Sequence, residues 1–352
     1  MAYGSAQTDP LLTFAPMEGL TTFLYRNLHH EMFGGVDKYY TPFLAPLKQN
    51  KKKGYAFKKR DLKDILPENN PGLPLVPQVL CNKPEQFLFA VETFFDLGYQ
   101  EINLNLGCPM PTVVSKGKGA GFLNDPDELD AFFFAVFNTL AQKGFTVTDD
   151  DKAVCGNRLL VSVKTRIGLH GEYEAEALMD VFHRYPIAEL IIHARLRDDY
   201  YKGAPRTDAF VKMLSASSSP IGYNGDIRSV QDYHALTERL NASAASTTLS
   251  SVMMGRGLIA DPSLARQLRG GASLSAEELR AFMERLYDEI ARIIPEENNI
   301  LHRMKGIWYY TGVHFADSER QLLELKKARK KIEYDNAVRA LFRDCDQNLQ
   351  SA

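Results

Sequence analysis

The sequence predicts a (β/α)8 TIM barrel, an α/β fold, followed by a C-terminal helical bundle. Three observations carry that expectation. Short β-branched or apolar runs, separated by helical patterns, recur eight times through about residue 270, the number and length such a barrel requires. The runs are almost continuously apolar, as strands covered on both faces by helices must be. After Gly270-Gly271 the pattern changes to uninterrupted helical periodicity. The chain therefore divides into a barrel domain over residues 1–270 and a helical domain over residues 271–352.

Strands are expected at 12–15, 38–41, 75–79, 101–104, 159–164, 189–193, 221–224 and 252–255. Helices are expected at 84–97, 126–142, 174–185, 229–240 and 261–268, with Pro84, Pro126 and Pro262 placed where a first helical turn tolerates proline. The helical domain should start at a capping Ser273 with Glu277 and Glu278 close behind. Leu279, Phe282, Met283, Leu286 and Ile290 recur at helical spacing, as do Leu322, Leu325, Ala328 and Ile332, marking the faces that pack. Trp308 is read as core of the bundle. No repeat beyond the βα unit is visible, and residues 215–219 and 242–251 read as surface connections.

A chain of 352 residues with 45% hydrophobic content and a net charge of -2 can bury a large core and is not of the disordered class. It has no apolar run of about 18 residues and no basic-then-apolar N-terminus, so neither a membrane partner nor export is expected and a cytoplasmic monomer is the simplest reading. Cys81, Cys108, Cys155 and Cys345 form no CxxC pair, which argues against zinc and against a disulfide framework. No metal site is expected, and Asp149-Asp150-Asp151 reads as an exposed loop.

The segment Asn103-Leu104-Asn105-Leu106-Gly107-Cys108-Pro109, followed by Gly117, Gly119, Ala120 and Gly121, puts a thiol on a glycine turn straight after an apolar strand. That is where α/β folds build active sites, so Cys108 is a candidate acid or nucleophile. A lone cysteine is more often a small buried hydrophobe. Asn105 and the glycines argue otherwise. Collecting the residues just past each strand gives Pro16, Met17, Glu18, Gln78, Asn105, Cys108, Lys164, Arg166, His193, Arg195, Asn224, Gly225, Asp226, Gly255 and Arg256, which a barrel brings to one mouth. Asn224-Gly225-Asp226 and Gly255-Arg256-Gly257 follow strands seven and eight, where barrels commonly hold a phosphate, so a phosphate-bearing cofactor is expected. A lysine at 164 would be a costly charge near a core unless it faced an anionic cofactor ring or paired with a carboxylate such as Glu18. Arg166 and Arg195 point to oxygen-rich or planar ligands.

These residues carry a resemblance. Ala15-Pro16-Met17-Glu18-Gly19, Val76-Pro77-Gln78, Asn105-Leu106-Gly107-Cys108-Pro109, Val163-Lys164-Thr165-Arg166, His193-Ala194-Arg195, Tyr201-Lys202-Gly203, Asn224-Gly225-Asp226-Ile227 and Gly255-Arg256-Gly257 resemble, in order and spacing, the tRNA-dihydrouridine synthases. The bacterial subgroup acting on uridine 16 is the most similar. The resemblance runs from about residue 11 to 270 and implies an FMN enzyme that reduces the C5=C6 bond of a D-loop uracil in tRNA, with NADPH as reductant. Hydride would pass from the flavin N5 to C6 while Cys108, a neutral thiol of ordinary pKa about 8.5, gives a proton to C5 from the opposite face. The same resemblance assigns Lys164 to the flavin N1/O2 edge, Gln78 to its pyrimidine edge and His193 to the ring. It assigns Asn224, Gly225, Asp226, Gly255 and Arg256 to the phosphate, and Pro16, Met17 and Glu18 to the cofactor site. Asn105, Arg166, Arg195 and Tyr201 would hold the substrate uracil, flipped out of its stack. The chain departs from the family at Pro111 and Thr112, where lysine or arginine is common, at Ala194 and Leu196, and at Tyr223, where a small residue is usual.

Two basic clusters fit a tRNA partner. Lys48, Lys51, Lys52, Lys53, Lys58, Lys59 and Arg60, interleaved with Tyr55 and Phe57, form a loop after strand two. Lys326, Lys327, Arg329, Lys330 and Lys331 form a run on a predicted helix, with Arg303 and Lys305 upstream. The competing readings are an FMN-dependent reductase of a free pyrimidine-like molecule and a tRNA-binding chaperone with a relict flavin site.

Overall fold

The computed structural model describes residues 9–49, 54–147, 157–243 and 249–345. Its strands are β1 (Leu11–Phe14), β2 (Lys38–Tyr40), β3 (Leu47–Lys48), β4 (Tyr55–Ala56), β5 (Leu75–Val76), β6 (Gln78–Val79), β7 (Glu101–Asn105), β8 (Phe145–Val147), β9 (Asn157–Gly168), β10 (Glu189–Leu196), β11 (Ile221–Asn224) and β12 (Ser251–Met254). The main sheet runs β5-β2-β1-β12-β11-β10-β9-β7-β6, every pair parallel. Its two ends, β5 and β6, are one run interrupted at Pro77, which has no N–H to give a ladder. Counting them as one stave turns the nine strands of that path into eight and closes the sheet into the expected barrel. β8 adds outside this path along the start of β9, and β3 pairs antiparallel with β4.

The helices are α1 (Phe23–Met32), α2 (Lys59–Lys63), α3 (Pro84–Asp96), α4 (Pro111–Val114), α5 (Pro126–Gln142), α6 (Glu174–Phe182), α7 (Thr207–Ala216), α8 (Val230–Ala242), α9 (Arg256–Ala260), α10 (Leu264–Leu268), α11 (Ala276–Ile293), α12 (Glu297–Thr311), α13 (Glu319–Lys327) and α14 (Lys331–Cys345). Internal packing groups the chain into two compact units: residues 1–15, 37–226 and 235–253, and residues 16–36, 227–234 and 254–352.

In the first unit, side chains alternate along each strand. Ile102, Leu104, Val161 and Val163 are fully buried, while Glu101, Asn103 and Asn105 occupy the alternate positions of β7. Ala15, Tyr40, Val76, Ile191 and Met253 form one buried apolar cluster. Polar side chains follow it at the C-terminal ends of the strands. Between His193 and Leu196 of β10 the partner β9 advances only from Arg166 to Gly168, so a bulge at Ala194-Arg195 re-aims the arginine.

In the second unit, Tyr25 of α1 and Phe33 just past its end both pack edge-on to Phe282 of α11, with centroids 5.3 and 5.2 Å away. The residues expected on the inner face of α11 are buried, as is Trp308, whose indole N–H donates to the Tyr334 hydroxyl at 2.8 Å. Four expectations need correction here. The capping serine of α11 is Ser275, not Ser273, because Ser275 alone forms the reciprocal box with Glu278. Pro262 lies in the turn before α10 rather than in its first helical turn. Leu322 to Ile332 is not one helix: α13 ends at Lys327, Ala328 turns extended, and Ile332 is exposed on α14. The basic run at 326–331 consequently spans the end of one helix and the start of the next.

Five elements extend beyond, or differ from, the predicted connections. β9 runs on to Gly168, Ser215 belongs to α7, and the loop after strand two contains the β3–β4 hairpin and α2. Phe57 is not part of a surface there; it is buried and stacked on Phe94 at 5.3 Å. Lys51, Lys52, Lys53, Asp149, Asp150, Asp151 and Cys155 lie outside the described residues.

Candidate active site

Cys108 stands three residues beyond the end of β7, partly exposed. Asn105, the last residue of that strand, turns its Oδ1 back to accept the backbone N–H groups of Gly107 at 3.1 Å and Cys108 at 3.0 Å. Such a turn is what an Asn side chain offers the backbone. Behind the thiol, the Cys108 carbonyl accepts the N–H of Ala120 at 3.0 Å. Gly119 adopts φ +56°, and a Cβ there would meet that carbonyl oxygen at 2.8 Å. A Cβ on Gly121 would meet Val114 O at 2.6 Å. The glycines downstream of the cysteine thus let the chain fold tightly against its back.

Arg166, 1% exposed, fastens the turn from the other side. Its Nε donates to Gly107 O at 2.8 Å, and its Nη1 donates to Leu196 O at 2.8 Å and Tyr200 O at 2.9 Å. Its guanidinium lies 5.3 Å from the Tyr201 ring centroid, and that ring is 52% exposed. Tyr200 holds φ +51°, a conformation costly for a tyrosine that recurs at functional sites. Burial lowers the Arg166 pKa from its ordinary value.

Lys164, next but one along β9, donates its Nζ to Asn224 Oδ1 at 2.8 Å, and Asn224 Nδ2 donates to Met253 O at 2.8 Å. Desolvation, with the Arg166 charge adding to it, pushes the Lys164 ammonium down to about 7. Among the described residues no carboxylate bonds to it. A half-buried ammonium with one neutral acceptor keeps two N–H bonds for an electron-rich ligand edge, and Gln78, Asn105 and His193 add planar polar groups on the neighbouring strands β6, β7 and β10. This donor set fits the pyrimidine edge of a flavin.

Arg195 is fully buried and its donors are spent within the protein. It grips both oxygens of Asp226 at 3.2 and 2.6 Å, the carbonyls of Lys202 and Gly203 at 3.3 and 2.5 Å, and His193 Nε2 at 3.2 Å. An arginine can only donate, so Nε2 accepts and the neutral imidazole carries its proton on Nδ1. Arg195 therefore holds His193 and the 202–203 turn in place, and Asp226 serves as its counter-ion. Tyr223, the unusual residue before Asn224, packs edge-on against Phe210 at 4.8 Å.

The structure thus brings together Gln78, Asn105, Cys108, Lys164, Arg166, His193, Arg195, Tyr201, Asn224, Gly225 and Asp226 within the first unit. Pro16, Met17, Glu18, Gly255 and Arg256 fall in the second. There Met17 N–H donates to Thr21 Oγ1 at 2.9 Å, and Gly255 precedes α9. Sequence reasoning missed Asn103, which accepts from Gln78 Nε2 at 2.8 Å, and Tyr200. The alternation of Glu101, Asn103 and Asn105 in an otherwise apolar strand could have revealed the first. Cys81 is buried, and burial pushes its thiol up to about 12, as suits a structural cysteine. Among the described residues no cluster could hold a metal ion, and no helix is long and apolar enough to cross a membrane.

A family model described as dihydrouridine synthase (Dus) matches residues 13–345. The tRNA-dihydrouridine(16) synthase of Cupriavidus necator is 28% identical over 265 residues, which cover 74% of this chain and 73% of that one. The protein of the same name from Pseudomonas syringae is 27% identical over 272 residues, 76% of this chain and 77% of its own.

Proposed function

This chain belongs to the dihydrouridine synthase family and is an oxidoreductase acting on a CH–CH bond, and on that premise we propose that it reduces the C5=C6 bond of a D-loop uridine in tRNA. The relatives named for position 16 make uridine 16 the proposed target. The observation that carries the reading is Cys108, held by Asn105, backed by Ala120 and lying near Lys164 and Arg166.

FMN, when bound, would supply the hydride, and NADPH would replenish it. Cys108 delivers a proton to C5, and the thiolate left behind is attracted by the charges of Lys164 and Arg166. Lys164 presents donors that suit the flavin's polar edge, Gln78 is placed at its pyrimidine edge on the resemblance, and His193, fixed by Arg195, stands at the ring. Asn105 and the Tyr201 ring, whose centroid lies 5.3 Å from the Arg166 guanidinium, receive the uracil. Gly225 follows Asn224 as the proposed phosphate turn, with Asp226 contributing through Arg195. For Pro16, Met17, Glu18, Gly255 and Arg256, a place in the cofactor site is proposed on the resemblance alone.

The exposed cations Lys48, Lys58, Lys59 and Arg60, and in the second unit Lys326, Lys327, Arg329 and Lys330, are proposed to meet tRNA phosphates. The helical segment over 271–352 is the proposed tRNA-binding domain, and the enzyme is proposed to act as a cytoplasmic monomer. The test is the flavin content of the purified protein and its NADPH oxidation with and without unmodified tRNA. Bound flavin with tRNA-stimulated turnover is expected. Flavin turnover indifferent to tRNA would point to a free pyrimidine-like substrate, and tRNA binding without flavin to a chaperone.

A further inference from the structure

The inward face of β7 carries only polar residues, and they belong to a longer chain of hydrogen bonds in which every donor points the same way. Asn105 Nδ2 donates to Gln78 Oε1 at 2.6 Å, and Gln78 Nε2 donates to Asn103 Oδ1 at 2.8 Å. Asn103 Nδ2 donates to Ser162 Oγ at 3.0 Å, and the Ser162 hydroxyl donates to Glu101 Oε1 at 2.8 Å. Gln78, Asn103 and Ser162 are fully buried. Glu101 opens β7, four residues before Asn105, so about 13 Å of strand separates the two ends at some 3.3 Å per residue.

Each end fixes the same polarity. The Glu101 carboxylate can only accept, and besides Ser162 it takes Lys38 Nζ at 2.6 Å and stands 3.4 Å from the Tyr40 hydroxyl. At the other end, the Gly107 and Cys108 N–H groups can only donate, and both donate to Asn105 Oδ1. A flipped amide at Gln78, Asn103 or Asn105 would set donor against donor in a buried interior, where an unmade bond is expensive. Bonds in such a chain polarise one another, so a charged acceptor at its foot strengthens each link above it.

We propose that Glu101 is a positioning residue for Cys108, acting through Ser162, Asn103, Gln78 and Asn105. The proposal rests on Cys108 being the functional thiol. It requires that the two ends be energetically coupled, which an unrelated stabilising role of Glu101 would not produce.

The test is a double-mutant cycle of Glu101→Gln and Asn105→Ala, read by the rate at which iodoacetamide alkylates Cys108, followed on its peptide by mass spectrometry. With the chain intact, Glu101→Gln should change that rate by about threefold or more; with the chain already cut by Asn105→Ala, it should change it by less than about 1.5-fold. Should Glu101→Gln fail to fold because Lys38 loses its partner, Ser162→Ala keeps the Lys38 pair and must give the same pattern. An equal factor in both backgrounds, or no change in either, overturns the proposal. Labelling needs neither tRNA nor cofactor, so a failure to form dihydrouridine would overturn the reaction assignment and leave this coupling intact.

Discussion

Lys164 shows how a single side chain can be costly to the fold and useful to the site. Its ammonium is held well below its ordinary pKa of 10.5, at about 7, chiefly because it is desolvated and next because Arg166 lies near. Between pH 7 and 10.5 the unfolded chain holds a proton that the native lysine has lost, so native stability from this group rises with pH across that window. Below pH 7 the lysine is charged in both states and the full burial cost is present. Lys164→Met should therefore stabilise the cofactor-free protein by roughly 1–3 kcal/mol below that pH. The gain should fade toward pH 10.5, and flavin binding should be lost. Urea denaturation of the two proteins across this pH range checks the sign. A gain that grew with pH would contradict the assignment. Lysine at the end of an apolar strand made this position legible in the sequence. Arg195 was legible only as a site residue, because its partners Asp226, Lys202 and Gly203 are brought to it by a bulge that no local pattern announces.

Among the elements, the turn after β7 depends most on its neighbours. Asn105 holds it from within, Arg166 from β9, and Gly119 from the chain that follows. Gly119→Ala adds a left-handed penalty of about 1–2 kcal/mol and a steric collision with Cys108 O. A loss of stability near 2 kcal/mol and of activity by about tenfold is expected, since small misplacements of a reacting group are costly. Thermal denaturation and turnover on tRNA measure both. The barrel strands were readable because parallel strands buried on both faces are continuous apolar runs, and proline and glycine mark their ends. The β3–β4 hairpin was not, having only two residues per strand. Nor was the break at Ala328, since Leu322, Leu325, Ala328 and Ile332 keep a helical period across a turn made by backbone geometry alone.

Across the full chain, charge is segregated: a net -2 conceals exposed cations at 58–60 and at 326–330. Three of the basic side chains have partners within the protein: Lys305 is bonded to Ala328 O, Lys331 is paired with Asp335 at 2.6 Å, and Arg60 is paired with Asp61 at 3.1 Å. Replacing Lys326, Lys327, Arg329 and Lys330 with glutamine should weaken tRNA binding and shallow its dependence on log salt by about one for each phosphate no longer neutralised, with turnover at saturation unchanged. Fluorescence anisotropy at several salt concentrations measures the slope. An unchanged slope would remove that surface from the proposed tRNA footprint. The reaction itself is tested most directly by mapping dihydrouridine with nucleoside mass spectrometry in unmodified tRNA incubated with the protein, FMN and NADPH, alongside Cys108→Ala. Dihydrouridine at one D-loop uridine is predicted, formed at least about 100-fold more slowly by the variant at equal tRNA affinity. No dihydrouridine from the unaltered protein, or equal rates from both, would contradict the assignment of Cys108 as the proton donor in tRNA uridine reduction.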